Sequence, residues 1–143
     1  MDRRKTGRRI EVGFSLKRYT LRDFVRQTEN GTLDFDRSLE AVRQLVTAAG
    51  HHTDCHLLLD LRDTESTIGP SDYLKLVMEF GAHERRFHNK IAVIIPARAE
   101  RMEMAHFVQR CMQAEGYEIK VFTSYEYAID WLAEVQDVSR HDN

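Results

Sequence analysis

"LLLDLRDTESTIGPSDYLKLV", Leu57 to Val77, passes from a solid apolar block through a short polar junction into a segment of helical period. The run "CHLLLDL" that opens it is continuously apolar, the pattern of a strand covered on both faces by helices rather than half-exposed to water. Pro70 and Ser71 suit the first positions of a helix, which expects Leu74, Val77, Met78 and Gly81 along one buried face. The stretch is therefore one strand-to-helix unit of a parallel α/β sheet, and the rest of the chain is read from it.

Upstream, "EVGFSLKR" alternates Val12, Phe14 and Leu16 with Gly13, Ser15 and Lys17, the period of a half-exposed strand. "LRDFVRQ" reads as a second strand ended by "ENG" at Glu29 to Gly31, paired antiparallel with the first near a sheet edge. From Asp34 the period becomes helical, with Leu39, Val42, Leu45, Val46 and Ala49 on one stripe, Asp34 or Asp36 as N-cap and Gly50 as the stop. Downstream, "KIAVIIP" is another buried strand. A helix carrying Met104, Phe107, Val108, Cys111 and Ala114 follows, stopped by Gly116. "YEIKVF" is the last strand, and Ser124 caps a helix with Ala128, Trp131, Leu132 and Val135.

The order is ββαβαβαβα. It specifies a single α/β domain with a mostly parallel sheet of about five strands, an antiparallel strand near one edge, and helices on both faces. The expected domain spans residues 10–136, between a basic tail at 1–9 and a polar tail at 137–143.

The chain has 143 residues, 42% hydrophobic and 31% charged, which suits one domain with a real core. Cys55 and Cys111 lie in no paired motif, so a reduced cytoplasmic setting is expected. No apolar run reaches the length of a membrane span. Residues 1–26 hold nine Lys/Arg against three acids, while the remainder holds twelve against twenty. The basic end lacks interleaved aromatics, and a solvated extension explains it better than a nucleic-acid contact.

Ligands of parallel α/β sheets bind beyond the carboxyl ends of the strands. Three junctions qualify, at residues 62–71, 97–101 and 123–126. They offer Asp63, Glu65, Ser66, Thr67, Arg98, Arg101 and Ser124, with Ser71 at the start of the following helix. These form a polar rim without a catalytic set. Glycine-rich phosphate cradles and the G-x-S-x-G elbow are missing, so no enzyme activity or cofactor is expected. "HHTDCH", residues 51–56, concentrates His and Cys, but one short piece of chain does not converge on a metal, and a polar loop is expected. "HERRFH" spaces His83 and His88 five apart, which separates their rings on a helix. A receiver-type phosphoaspartate at Asp60 or Asp63 lacks its acidic pair and an exit lysine, because Lys120 falls mid-strand. Met78, Met102, Met104 and Met112 fit either core filling or the wall of an apolar pocket.

On these elements the chain resembles the SpoIIAA-like, or STAS, group of bacterial domains. The likeness covers Glu11 to Glu134 and rests on two early strands, "NGTLDFD", "LLLDLRD" and "VFTSYEYAIDWL", with Phe122, Ala128, Trp131 and Leu132 in the closing strand and helix. It implies a regulatory, non-enzymatic domain with a protein partner, docking through Asp63, Glu65, Ser66, Thr67, Ser71 and Arg98. A homodimer is compatible with it. The group's regulatory members carry a phosphorylated serine in a D-S-x-G motif after the third strand. Ile68 and Gly69 occupy those places here, which leaves Ser66, Thr67 and Ser71 as the candidate phosphoacceptors. The alternative reading is a binding protein for a small apolar, lipid-like molecule held between helices and sheet.

Overall fold

The structure, a computed structural model, describes residues 23–82 and 87–134. The expected strand at 11–18, both tails, Val135 and His83 lie outside these residues. The described elements alternate as β1 (Phe24–Leu33), α1 (Phe35–His51), β2 (His56–Ser66), α2 (Pro70–Gly81), β3 (Lys90–Ile94), α3 (Ala99–Ala114), β4 (Glu118–Phe122) and α4 (Tyr125–Ala133). The four strands lie in the order β1-β2-β3-β4, and every pairing is parallel.

Sequential parallel order joined by right-handed crossovers puts successive helices on one side of a sheet. Accordingly α1, α2 and α3 share a face, where Leu45, Val77, Phe80 and Met112 meet Leu57, Ile91 and Ile119. Among the described helices α4 alone covers the other face, where Ala128 and Leu132 pack on Leu58, Ala92 and Ile94. Phe122 and Trp131 close that layer with ring centroids 5.8 Å apart.

Local chemistry explains the element ends. Asp34 Oδ1 accepts the Arg37 amide at 2.9 Å, so Asp34 is the N-cap of α1. Ser124 caps α4 in the same way. Helix α3 ends where Gly116 takes φ +98°, with its amide donating to Gln113 O and the Tyr117 amide donating to Met112 O. Lys90 closes α4 from outside the helix, donating from Nζ to the Trp131 and Glu134 carbonyls at 2.6 and 2.9 Å.

Two expectations are corrected. "ENG" does not end β1, which continues to Leu33 with Gly31 at φ +86°. Strand β2 in turn extends into the polar junction, where residues 63–66 pair with Asn30 to Leu33. The second correction concerns α2. Its buried residues are Leu76, Val77 and Phe80, whereas Leu74 and Met78 face outward, 44% and 64% exposed. The helix has two apolar stripes, and the one holding the larger aromatic Phe80 packs edge-on against Tyr117 in the core. Among the four methionines considered for core or pocket, Met112 alone is buried.

Candidate ligand-binding site

The register of β1 against β2 decides what the polar junction presents. Thr28 lies opposite Asp60, but the next paired residue, Asn30, lies opposite Asp63. Strand β2 therefore spends one more residue than β1 over this interval, which is a bulge. Side chains alternate along a strand, so an inserted residue reverses which face the later ones occupy. Before the bulge, Leu57, Leu59 and Leu61 point toward α1–α3. After it, the even-numbered Thr64 and Ser66 point there instead.

They meet polar groups from the first turns of the helices. Thr64 is buried; its carbonyl accepts from Arg101 Nη1 at 2.9 Å, and its hydroxyl accepts from Arg101 Nη2 at 3.0 Å. Ser66 Oγ shares a 2.7 Å hydrogen bond with the Tyr73 hydroxyl. Arg101 is 8% exposed. Burial pulls its guanidinium below the usual range, and the neighbouring Arg98 adds to this, while Tyr73 and the field of Glu65 oppose it. Among the described residues no ion pair holds Arg101.

Behind these groups lies a cavity of about 140 Å³ between the sheet and α1–α3. Its polar residues are Ser38, Ser66, Tyr73 and Arg101, and its remaining wall is apolar, including Leu59, Phe80, Val93, Val108 and Met112. Because each helix starts where its strand ends, Ser38, Tyr73 and Arg101 all sit at the carboxyl end of the sheet. The cavity thus has a hydroxyl-and-guanidinium end and an apolar body.

The rim residues expected from sequence divide into two groups. Ser66, Arg98 and Arg101 join the cluster, Arg98 through a 3.4 Å contact from Nη2 to Thr64 O. Asp63, Glu65, Thr67 and Ser71 are exposed, and the Thr67 amide donates to Leu33 O at 3.2 Å. Tyr73, Ser38 and Thr64 were not among the expected rim residues. The usable signal for the first two was position: each falls in the first turn of a helix that follows a parallel strand.

A separate cluster lies on the α4 face. Asp60, 3% exposed, accepts from Arg62 Nε and Nη2 at 2.9 and 2.7 Å and from Arg26 Nη2 at 3.0 Å. Both guanidiniums stand over the Tyr125 ring. Arg62 is the main cause that lowers the Asp60 carboxyl from 3.8 to about 2. At the amino end of the sheet, His56 is buried with Nδ1 accepting the Lys90 amide at 3.0 Å, and Asn89 donates to the Thr53 and Cys55 carbonyls. Among the described residues no group of three or more His, Cys, Asp or Glu could hold a metal ion, and no helix is long and apolar enough to cross a membrane. Comparison with protein-family models, with curated proteins and with solved structures finds no significant match for this chain.

Proposed function

We propose that this chain is a binding protein for one small, largely apolar molecule, held between the sheet and α1–α3. The carrying observation is the cavity of about 140 Å³ with its apolar wall. An empty space of this size forfeits packing contacts. A cavity of roughly 150 Å³ holds one benzene-sized ring, which sets the scale of the occupant. Toluene is the direct probe, followed through the methyl resonances of Val93, Val108 and Met112. Those signals are expected to shift and saturate. Ala105→Leu, which places three further carbons into the cavity, is expected to abolish the shifts while leaving the fold intact. Unperturbed methyls in the parent protein would refute the reading.

A second reading, the protein-docking domain suggested by the SpoIIAA-like resemblance, is favoured by one observation. Leu74 and Met78 stand one helical turn apart on the outward face of α2, beside the exposed Thr67 and Ser71. A phosphate on Ser71 would enter the first turn of α2, where the helix end favours negative charge. Affinity capture with the parent protein and with a Leu74→Glu, Met78→Glu variant tests the docking. Phosphopeptide mapping of Ser66, Thr67 and Ser71 tests the switch. Identical captured proteins would remove the docking surface, and unmodified hydroxyls would remove the switch.

A further inference from the structure

We infer that the molecule in this cavity carries a carboxylate, and that Arg101, Tyr73 and Ser66 hold it. This assignment rests on the cavity reading above and names the ligand's chemical class. A guanidinium has five N–H donors. Thr64 takes two of them from Arg101, and both acceptors are neutral. A cation this deeply buried is unfavourable unless an anion or a dense set of hydrogen bonds compensates it. No carboxylate among the described residues forms that ion pair. Arg101 nevertheless lines the cavity together with Ser66 and Tyr73, whose hydroxyls are already hydrogen-bonded to each other.

The arrangement suits a planar monoanion. A guanidinium fork matches a carboxylate in shape and can donate two parallel hydrogen bonds to it. Thr64 fixes the fork by accepting from both terminal nitrogens, so little side-chain freedom is lost when a ligand arrives. Of the Tyr73 and Ser66 hydroxyls, the one that accepts in their mutual hydrogen bond keeps its own O–H to donate to the same oxygens. The N-terminal first turns of α1, α2 and α3 reach this end of the cavity through Ser38, Tyr73 and Arg101, and their partial positive charge favours an anion further. The ligand class is therefore a single-ring or short-chain carboxylic acid, with its apolar part against Val93, Val108 and Met112.

Phenylacetate and 2-phenylethanol share a ring and differ in the head group, so their affinities for the full chain isolate the carboxylate. By calorimetry at fixed ionic strength, phenylacetate is expected to bind about tenfold or more tighter than the alcohol. Arg101→Met is expected to erase that preference while keeping alcohol binding, and Ala105→Leu to remove both ligands. Equal binding of acid and alcohol to the parent protein, with toluene still bound, would overturn the carboxylate assignment and leave the cavity reading standing. An acid preference that survives Arg101→Met would overturn the role of Arg101. Failure of all three probes would overturn both readings. If Arg101→Met does not fold, the parent comparison decides the ligand class, and Tyr73→Phe, expected to weaken the acid severalfold and the alcohol little, tests the head-group contacts.

Discussion

Asp60 is buried and charged, and two arginines from neighbouring strand positions hold it that way. Its carboxyl is lowered from 3.8 to about 2, chiefly by Arg62. A depressed carboxyl contributes stability that is complete above its unfolded value and lost as pH falls through its folded value. The loss is therefore expected between about pH 4 and pH 2, seen as an acid limb in urea-unfolding free energy. Asp60→Asn should remove at most about 2 kcal/mol at neutral pH, because both arginine side chains are solvent-screened, and should flatten that limb. An unchanged limb would assign the acid sensitivity to another carboxylate. In sequence, Asp60 was legible only as an aspartate near the end of a buried strand. Its arginine partners were not: Arg26 comes from β1, and Arg62 lies within the bulge between Asp60 and Asp63.

At the scale of the element, strand β2 and helix α2 show what period alone conveys. The apolar run from Leu57 and the helix start at Pro70 were both readable, because burial and N-terminal chemistry leave local signatures. The bulge was not, since it exists only in the pairing of β2 with β1. Gly31, at φ +86°, lies in the β1 segment just past that register change. An L side chain is strained in that region, so Gly31→Ala should cost about 1 kcal/mol in urea unfolding. It should also weaken the cavity ligand, because the bulged segment aims Ser66. A full-strength ligand in Gly31→Ala would show that the pairing beyond the bulge is not needed to form the site. Helix α2 teaches the complementary point. Leu74 and Met78 belong to an apolar stripe as regular as that of Leu76, Val77 and Phe80, and only packing against α3 and the sheet selects between the two.

Across the whole molecule the two faces of the sheet are unequal. Three helices cover one face and enclose the cavity, whereas the nine-residue α4 covers only part of the other, near β3 and β4. Beside the apolar Phe24 and Leu58, β1 and β2 bear the Arg26–Asp60–Arg62 cluster on this face. Leu132, 1% exposed, is the central anchor of α4. Leu132→Ala is expected to destabilise by about 3 kcal/mol through lost burial and a cavity that the short helix cannot close. Ligand affinity should stay near that of the parent while the protein remains folded, since the two cores lie on opposite sides of the sheet. Thermal unfolding and toluene titration together check this; a large loss of toluene affinity would mean that the faces are mechanically coupled.

What the sequence determined by itself is the α/β class, the parallel character of the described sheet, the cap at Ser124 and a cap at Asp34 or Asp36, which the structure resolves to Asp34. Each follows from information a few residues long: a hydrophobic period, an oxygen acceptor before a helix, a glycine after one. It also pointed to the carboxyl end of the strands, where the cavity's polar groups lie, because parallel strands bring helix starts to one side. Tertiary structure alone decided which side chains share that end. Ser38, Ser66, Tyr73 and Arg101 come from four separate elements, and no local period links them. The register slip that turns Thr64 and Ser66 inward, and the rotation that buries Phe80 while exposing Met78, are set by packing between distant segments, where the sum of contacts outweighs local preference.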